Sequence, residues 1–208
     1  MMNRRLKIWC TSSRLKTTMI ASLLLLNLAT AFAQQERVYD VIRKDDKVGT
    51  LKATFNNTPL GQFYYIESKV KVWVVINIKI NYNQSNLFKD GLLQQAAMIR
   101  TVNGSTKVSN NILRNASGYV CMRMDGDTVM LKEEIRHTIA KLYFIEPINI
   151  NRVYSENFLS FLAIRSTGPH TYELTLADGK KNYYTYENGL CTKVQAETDH
   201  GTVYLVAR

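Results

Sequence analysis

The chain has 208 residues, 21% of them charged, and a formal net charge of +10 from 27 basic and 17 acidic side chains. Five basic residues and no acid fall within the first 16 positions, so beyond them 22 basic residues face 17 acidic ones, a net +5. In that remainder Lys and Arg are scattered among Glu and Asp, which argues against nucleic acid as a partner, because such surfaces gather basic residues into a patch or stripe.

Taken in chain order, the basic start is followed by an apolar run from Met19 to Leu28 and then by Ala31-Phe32-Ala33. This is the pattern of a secretory signal peptide cleaved after Ala33. The run is shorter than the roughly 20 residues a membrane-spanning helix needs. Gln34, not Cys, follows the cut, so no lipid anchor is expected there. The expected organisation is a signal peptide at 1–33 and one domain at 34–208. The mature chain, periplasmic or secreted, should have no transmembrane segment.

Turn signals then recur: Asp45-Asp46, Asn56-Asn57-Thr58-Pro59, Asp90-Gly91, Asn103-Gly104, Asp125-Gly126, Gly168-Pro169, Asp178-Gly179 and Asn188-Gly189. Asn-Gly and Asp-Gly are strong hairpin signals, because both central residues of a type I′ turn take positive φ. Between turns the side chains alternate. In His170–Ala177, for example, His170, Tyr172, Leu174 and Leu176 fall on one face. Such segments predict an all-β antiparallel meander.

The longest alternation is Tyr64 to Tyr82, where every even position except Ser68 is apolar. Read as one strand it would reach ~60 Å at about 3.3 Å per residue, too long for a domain of this size unless it coils. The expectation is a sheet curled into a barrel or half-barrel, with the even residues on its concave side. Val72, Val74, Ile76 and Ile78 are compact and β-branched, and they are the candidate wall of a site for a lipid or other apolar ligand. One short helix is expected over Glu133–Tyr143, where Ile135, Ile139 and Leu142 share a stripe and Pro147 forbids continuation.

The stretches YDVIRKDDKVGTLKAT, ESKVKV, LYFIEP with VYSE, and GKKNYYTYENGLCTKV resemble a family of secreted Bacteroidota proteins known only as a domain of unknown function. The resemblance runs from Val38 to the end. It implies an antiparallel β fold curled into a barrel or half-barrel, a signal peptide, and no assigned activity or catalytic residues. It matches Cys191 and not Cys121, which weakens a disulfide between the two cysteines that remain after Cys10 leaves with the signal.

Chemistry-bearing groups are sparse. Glu146 and Glu156 flank a turn, and a hydrolase of the glycosidase type would need two carboxyls ~5–10 Å apart. A Glu before Pro and a Glu in Tyr-Ser-Glu also read simply as turn residues. His137, His170 and His200 form no ligand pair, so neither a metal nor a cofactor is expected, and no nucleophile elbow or phosphate loop occurs. Tyr65, Trp73 and Tyr183 project from polar faces and could form an aromatic platform for an envelope partner, although Tyr and Trp favour strands anyway. The reading that follows is a non-enzymatic periplasmic β protein holding an apolar ligand in a curved sheet. The alternatives are an envelope structural or interaction protein, and a hydrolase built on Glu146 and Glu156.

Overall fold

A computed structural model describes residues 34–73, 76–199 and 201–208. The expected signal peptide and His200 lie outside the described residues. In chain order the strands are β1 (Gln35–Arg43), β2 (Asp46–Thr58), β3 (Gly61–Trp73), β4 (Asn77–Lys89), β5 (Leu92–Val102), β6 (Ser105–Asn115), β7 (Gly118–Met122) and β8 (Thr128–Leu131). After a long connection come β9 (Arg152–Ser155), β10 (Ser160–Gly168), β11 (Thr171–Thr175), β12 (Lys181–Glu187), β13 (Leu190–Thr198) and β14 (Gly201–Ala207). All are antiparallel neighbours in one curled, non-closed sheet ordered β8-β7-β6-β5-β4-β3-β2-β1-β14-β13-β12-β11-β10-β9. The all-β meander read from alternation and turns is the observed architecture. Asp90-Gly91, Asn103-Gly104 and Asn188-Gly189 all take positive φ at both residues, as type I′ hairpins require.

Two expectations are corrected. The nineteen-residue strand is two: β3 ends at Trp73, β4 begins at Asn77, and the two pair antiparallel, Val72 with Ile78 and Val70 with Ile80. The pairing joins even positions to even positions. An odd number of residues separates the strands, so the apolar side chains of β3 and β4 stay on one face, and the alternation runs on in the sequence with no Gly, Pro or Asp to mark the break. Ile76 stands at the hairpin tip and is 63% exposed.

The expected helix over Glu133–Tyr143 shrinks to a 3₁₀ turn at Ile139–Tyr143. The residues before it are extended because their backbone groups bond outward. The Ile135 carbonyl accepts from the Leu93 amide at 2.9 Å, and the His137 carbonyl accepts from the Tyr154 amide at 2.8 Å. An α-helix would need those carbonyls for itself.

The connection between β8 and β9 thus inserts into the concavity of the sheet. Ile135, Ala140, Leu142, Tyr143 and Phe144 are all buried. Phe144 stacks against Phe55 and Tyr64, Tyr143 packs edge-on to Tyr39, and the Tyr186 hydroxyl donates to the Leu142 carbonyl at 2.8 Å. Cys121 and Cys191 are free, buried thiols, in accord with the expectation that they do not pair.

Candidate functional site

The inward side chains of β2–β6 form rows across the sheet, and burial changes abruptly from row to row. Tyr64, Asn86, Ala96 and Ile112 are paired neighbours and all buried, and so are Ile66, Gln84, Met98 and Asn110 in the next row. In the following row Ser68, Tyr82, Arg100 and Val108 are half-buried while Leu51 beside Ser68 on β2 stays buried, and in the one beyond it Gly49, Val70, Ile80 and Val102 are half-buried. The opposite wall repeats the step. Leu205, Val194, Tyr184 and Tyr172 are buried, whereas Val203, Ala196 and Asn182 on β14, β13 and β12 are half-buried, although their row continues into the buried Leu174 and Ile164. The inserted connection contributes to this, since Phe144 packs on Phe55 and Tyr64 in the first row, while Tyr143 reaches Tyr39 beside Leu51. Past it the concave face continues half-buried, through Val70, Ile80 and Val102, to Val72 and Ile78, of which Val72 is again buried.

The boundary between the two zones is polar. The Tyr82 hydroxyl donates to Gln84 Oε1, the Gln84 amide donates to Asn86 Oδ1 at 3.0 Å, and the Asn86 amide donates to Glu156 Oε1. Asn110 donates to the Glu156 carbonyl at 2.7 Å, which fixes the turn after β9 against β6. Glu156 is 1% exposed, and its Oε2 has no hydrogen-bond partner among the described residues. Burial, only partly offset by these donors, pushes its carboxyl up to about 7. Three other buried atoms near this level, Arg100 Nε, Asn157 Oδ1 and Asn182 Oδ1, are also unpartnered.

Two further groups lie on the filled side. The Lys141 ammonium sits 3.6 Å from the Phe88 ring centroid and donates to the Arg136 carbonyl at 2.8 Å. It has no carboxylate partner among the described residues, and burial lowers its pKa to about 8. Glu146, 9% exposed, accepts from the Tyr172 hydroxyl at 2.8 Å and lies 3.0 Å from His170 Nδ1. His170 itself holds a left-handed turn at φ 53°. Glu146 and Glu156 therefore serve separate networks with no shared partner. Among the described residues no three His, Cys, Asp or Glu side chains are placed to hold a metal ion.

The family described as "Domain of unknown function (DUF6134)" matches residues 39–208. The chain belongs to this DUF6134 family. The match begins within β1 and takes in the inserted connection and both walls of the concave face. Among solved structures, the chain is similar to a "Beta-barrel-like Protein of Domain of Unknown Function DUF1849 from Brucella abortus". The identity is 10%, with a TM-score of 0.48, over 83% of this chain and 94% of that one. A comparison with curated proteins gives no match.

Within the DUF6134 fold the expected site residues separate. Val72 is buried and Ile78 half-buried on the concave face, Ile76 is exposed at the tip, and Val74 lies outside the described residues. The three aromatics do not form one platform. Tyr65 and Trp73 are eight residues apart on β3, ~26 Å at about 3.3 Å per residue. Tyr183 lies on β12, with β2, β1, β14 and β13 between. The Tyr65 hydroxyl is spent on Asn83 at 3.0 Å, while Trp73 is 69% exposed. The residues missed by sequence reading are Tyr82, Gln84 and Asn86. Their signal was polar side chains on the even, inward register of β4, where the neighbouring positions are apolar.

Proposed function

We propose that this protein is a non-enzymatic binding protein, periplasmic or secreted after cleavage at Ala33 in a bacterium of the Bacteroidota type, that holds a lipid or other apolar ligand in the open end of its curled sheet. The observation that carries the reading is the change in burial on β3 to β6: Ser68, Tyr82, Arg100 and Val108, and then Val70, Ile80 and Val102, are only half-buried on a concave face whose other end is filled. A monomeric protein gains ~25 cal/mol per Å² by covering such surface, and a concave apolar lining with few polar groups is the usual form of a small-ligand site.

The test is uptake of a neutral fluorescent naphthylamine probe by the purified mature chain. Ile80→Trp, which fills the open end, should abolish the fluorescence gain. Ile76→Trp, at the exposed tip, should change stability by less than about 0.5 kcal/mol and serves as control. Absence of probe uptake by the wild type sinks the ligand reading. N-terminal sequencing of exported protein, starting at Gln34 or its cyclised form, tests the location.

An interaction role has one observation of its own. Leu113, Val120 and Met130 are cross-strand neighbours on the outer face at β8, the sheet edge, and Leu113 and Met130 are 51% and 57% exposed. This is an apolar patch beside an unpaired strand, the form that strand addition by a partner takes. The hydrolase reading has no comparable support, since Glu146 and Glu156 are engaged separately.

A further inference from the structure

Resting on the reading of the open end as a ligand site, we propose that its ligand is an amphiphile with a single anionic head, a carboxylate or a phosphate monoester, and that Arg100 is the residue that holds the head.

Arg100 lies on the concave face, since it pairs with Tyr82 on β4 and Val108 on β6 and shares their side of the sheet. It is the one charged residue among the inward positions of β3, β4 and β5. It stands at the boundary row, with the aliphatic row of Val70, Ile80 and Val102 towards the opening and the buried polar row of Gln84 and Asn110 below it. Its Nε is shut off from solvent without a partner, and no ion pair or hydrogen bond to its guanidinium occurs among the described residues. A guanidinium with a nitrogen withdrawn from water is best served by a carboxylate or phosphate that accepts in its fork. Arg100 as a whole is half-buried on the concave face, so the rest of its fork stays open to an acceptor from outside.

The groups around it fit an anion of one charge. Tyr82, its cross-strand neighbour, keeps its proton, because burial raises its hydroxyl well above the ordinary range, with the Glu156 charge adding to this and Arg100 opposing it. Glu156, the nearby carboxyl, is held two rows away by Asn86. The other interior cation, Lys141, is occupied by the Arg136 carbonyl and the Phe88 ring on the filled side. The unpartnered Asn182 Oδ1 on the far wall accepts only, so it fits a water or hydroxyl beside the head and not the anion itself.

The experiment compares the wild type with three probes: the fluorescent polyene cis-parinaric acid, its methyl ester, and the neutral naphthylamine. The acid should bind about 10-fold or more tighter than the ester, the worth of charge-assisted hydrogen bonds that the ester cannot form. Arg100→Met should erase that preference, while Arg100→Lys should keep part of it. Competition by dodecyl phosphate stronger than by laurate assigns the head as phosphate, and the reverse order assigns it as carboxylate. Equal binding of acid and ester by the wild type overturns the role of Arg100 and leaves the open-end site standing, a result that needs no variant to fold. Failure of all three probes to bind overturns both.

Discussion

The Tyr154 amide donates to the His137 carbonyl across 2.8 Å, and Thr138 bridges Tyr154 in parallel register, so the inserted connection acts as the strand that covers the edge of β9. The other end of the connection is fixed by the Ile135 amide donating to the Tyr119 hydroxyl at 3.2 Å. One segment thus fills part of the concavity and protects an otherwise open sheet edge. What it leaves uncovered is the proposed site, and what it buries sets the energetics below.

Stability should fall between acid and neutral pH because of Glu156. Its carboxyl is raised from 4.5 in the unfolded chain to about 7 when folded. Its stabilising contribution is therefore complete below pH 4.5 and is lost as pH rises through 7. Urea midpoints at pH 5 and 8 should differ in that sense, with Glu156 supplying up to about 3 kcal/mol. Glu156→Gln keeps an acceptor for Asn86 and should flatten the dependence. An unchanged slope in the variant would assign it elsewhere.

Lys141 gives the opposite limb. Its folded pKa is lowered from 10.5 to about 8, so its contribution is present above 10.5 and lost as pH falls through 8. Lys141→Met replaces a lone buried cation by an apolar chain of similar length, a change that is often neutral or stabilising. We expect its thermal midpoint to equal or exceed the wild type at pH 7, with the advantage shrinking by pH 10. A strong loss at pH 7 would mean that the bond to Arg136 and the Phe88 contact outweigh desolvation.

Gly61 and Gly179 separate backbone strain from collision. Both have positive φ, 135° and 84°. A Cβ at Gly61 would lie 2.1 Å from the Phe88 carbonyl oxygen, while one at Gly179 meets nothing within 4 Å. Gly179→Ala should cost ~1 kcal/mol from strain alone, and Gly61→Ala at least ~2 kcal/mol more, because β3 and β4 must part there. Equal midpoints in denaturant would refute this account.

The thiols should be inert in the folded protein. Burial pushes Cys191 up to about 12 and raises Cys121, which lies 3.3 Å from the Tyr154 hydroxyl. The thiolate is the reactive form. Alkylation without reductant should leave both unmodified under native conditions and label both after unfolding. A linked peptide pair would contradict the structure.

Much of this was legible in the residues. Alternation and the Asn-Gly and Asp-Gly turns gave the strands and their inward faces, because register and turn chemistry are local. The β3–β4 turn was hidden by parity, since an odd-length turn leaves the alternation unbroken. The helix failed because Ile135, Ile139 and Leu142 do face a core, but one that surrounds the segment, and strand groups such as the Tyr154 amide claim its carbonyls. Glu146 and Glu156 read as a pair because spacing says nothing about which wall each will meet. Arg100 is one of many scattered basic residues, and only the folded chain shows it facing inward.

The seam between β1 and β14 sets the order of events in folding. Tyr39 lies opposite Ala207 and Val41 opposite Leu205, while every other pairing in the sheet joins strands consecutive in the chain. The molecule is two zippers of local hairpins, β1 to β8 and β9 to β14, and strand pairing joins them only along this seam. Contacts so far apart in sequence slow folding, because the loop entropy is lost before any contact rewards it. A chain delivered N-terminus first, by a ribosome or through a pore, cannot close the seam until β14 arrives, and until then the edge of β1 that β14 will cover stays open to any other strand.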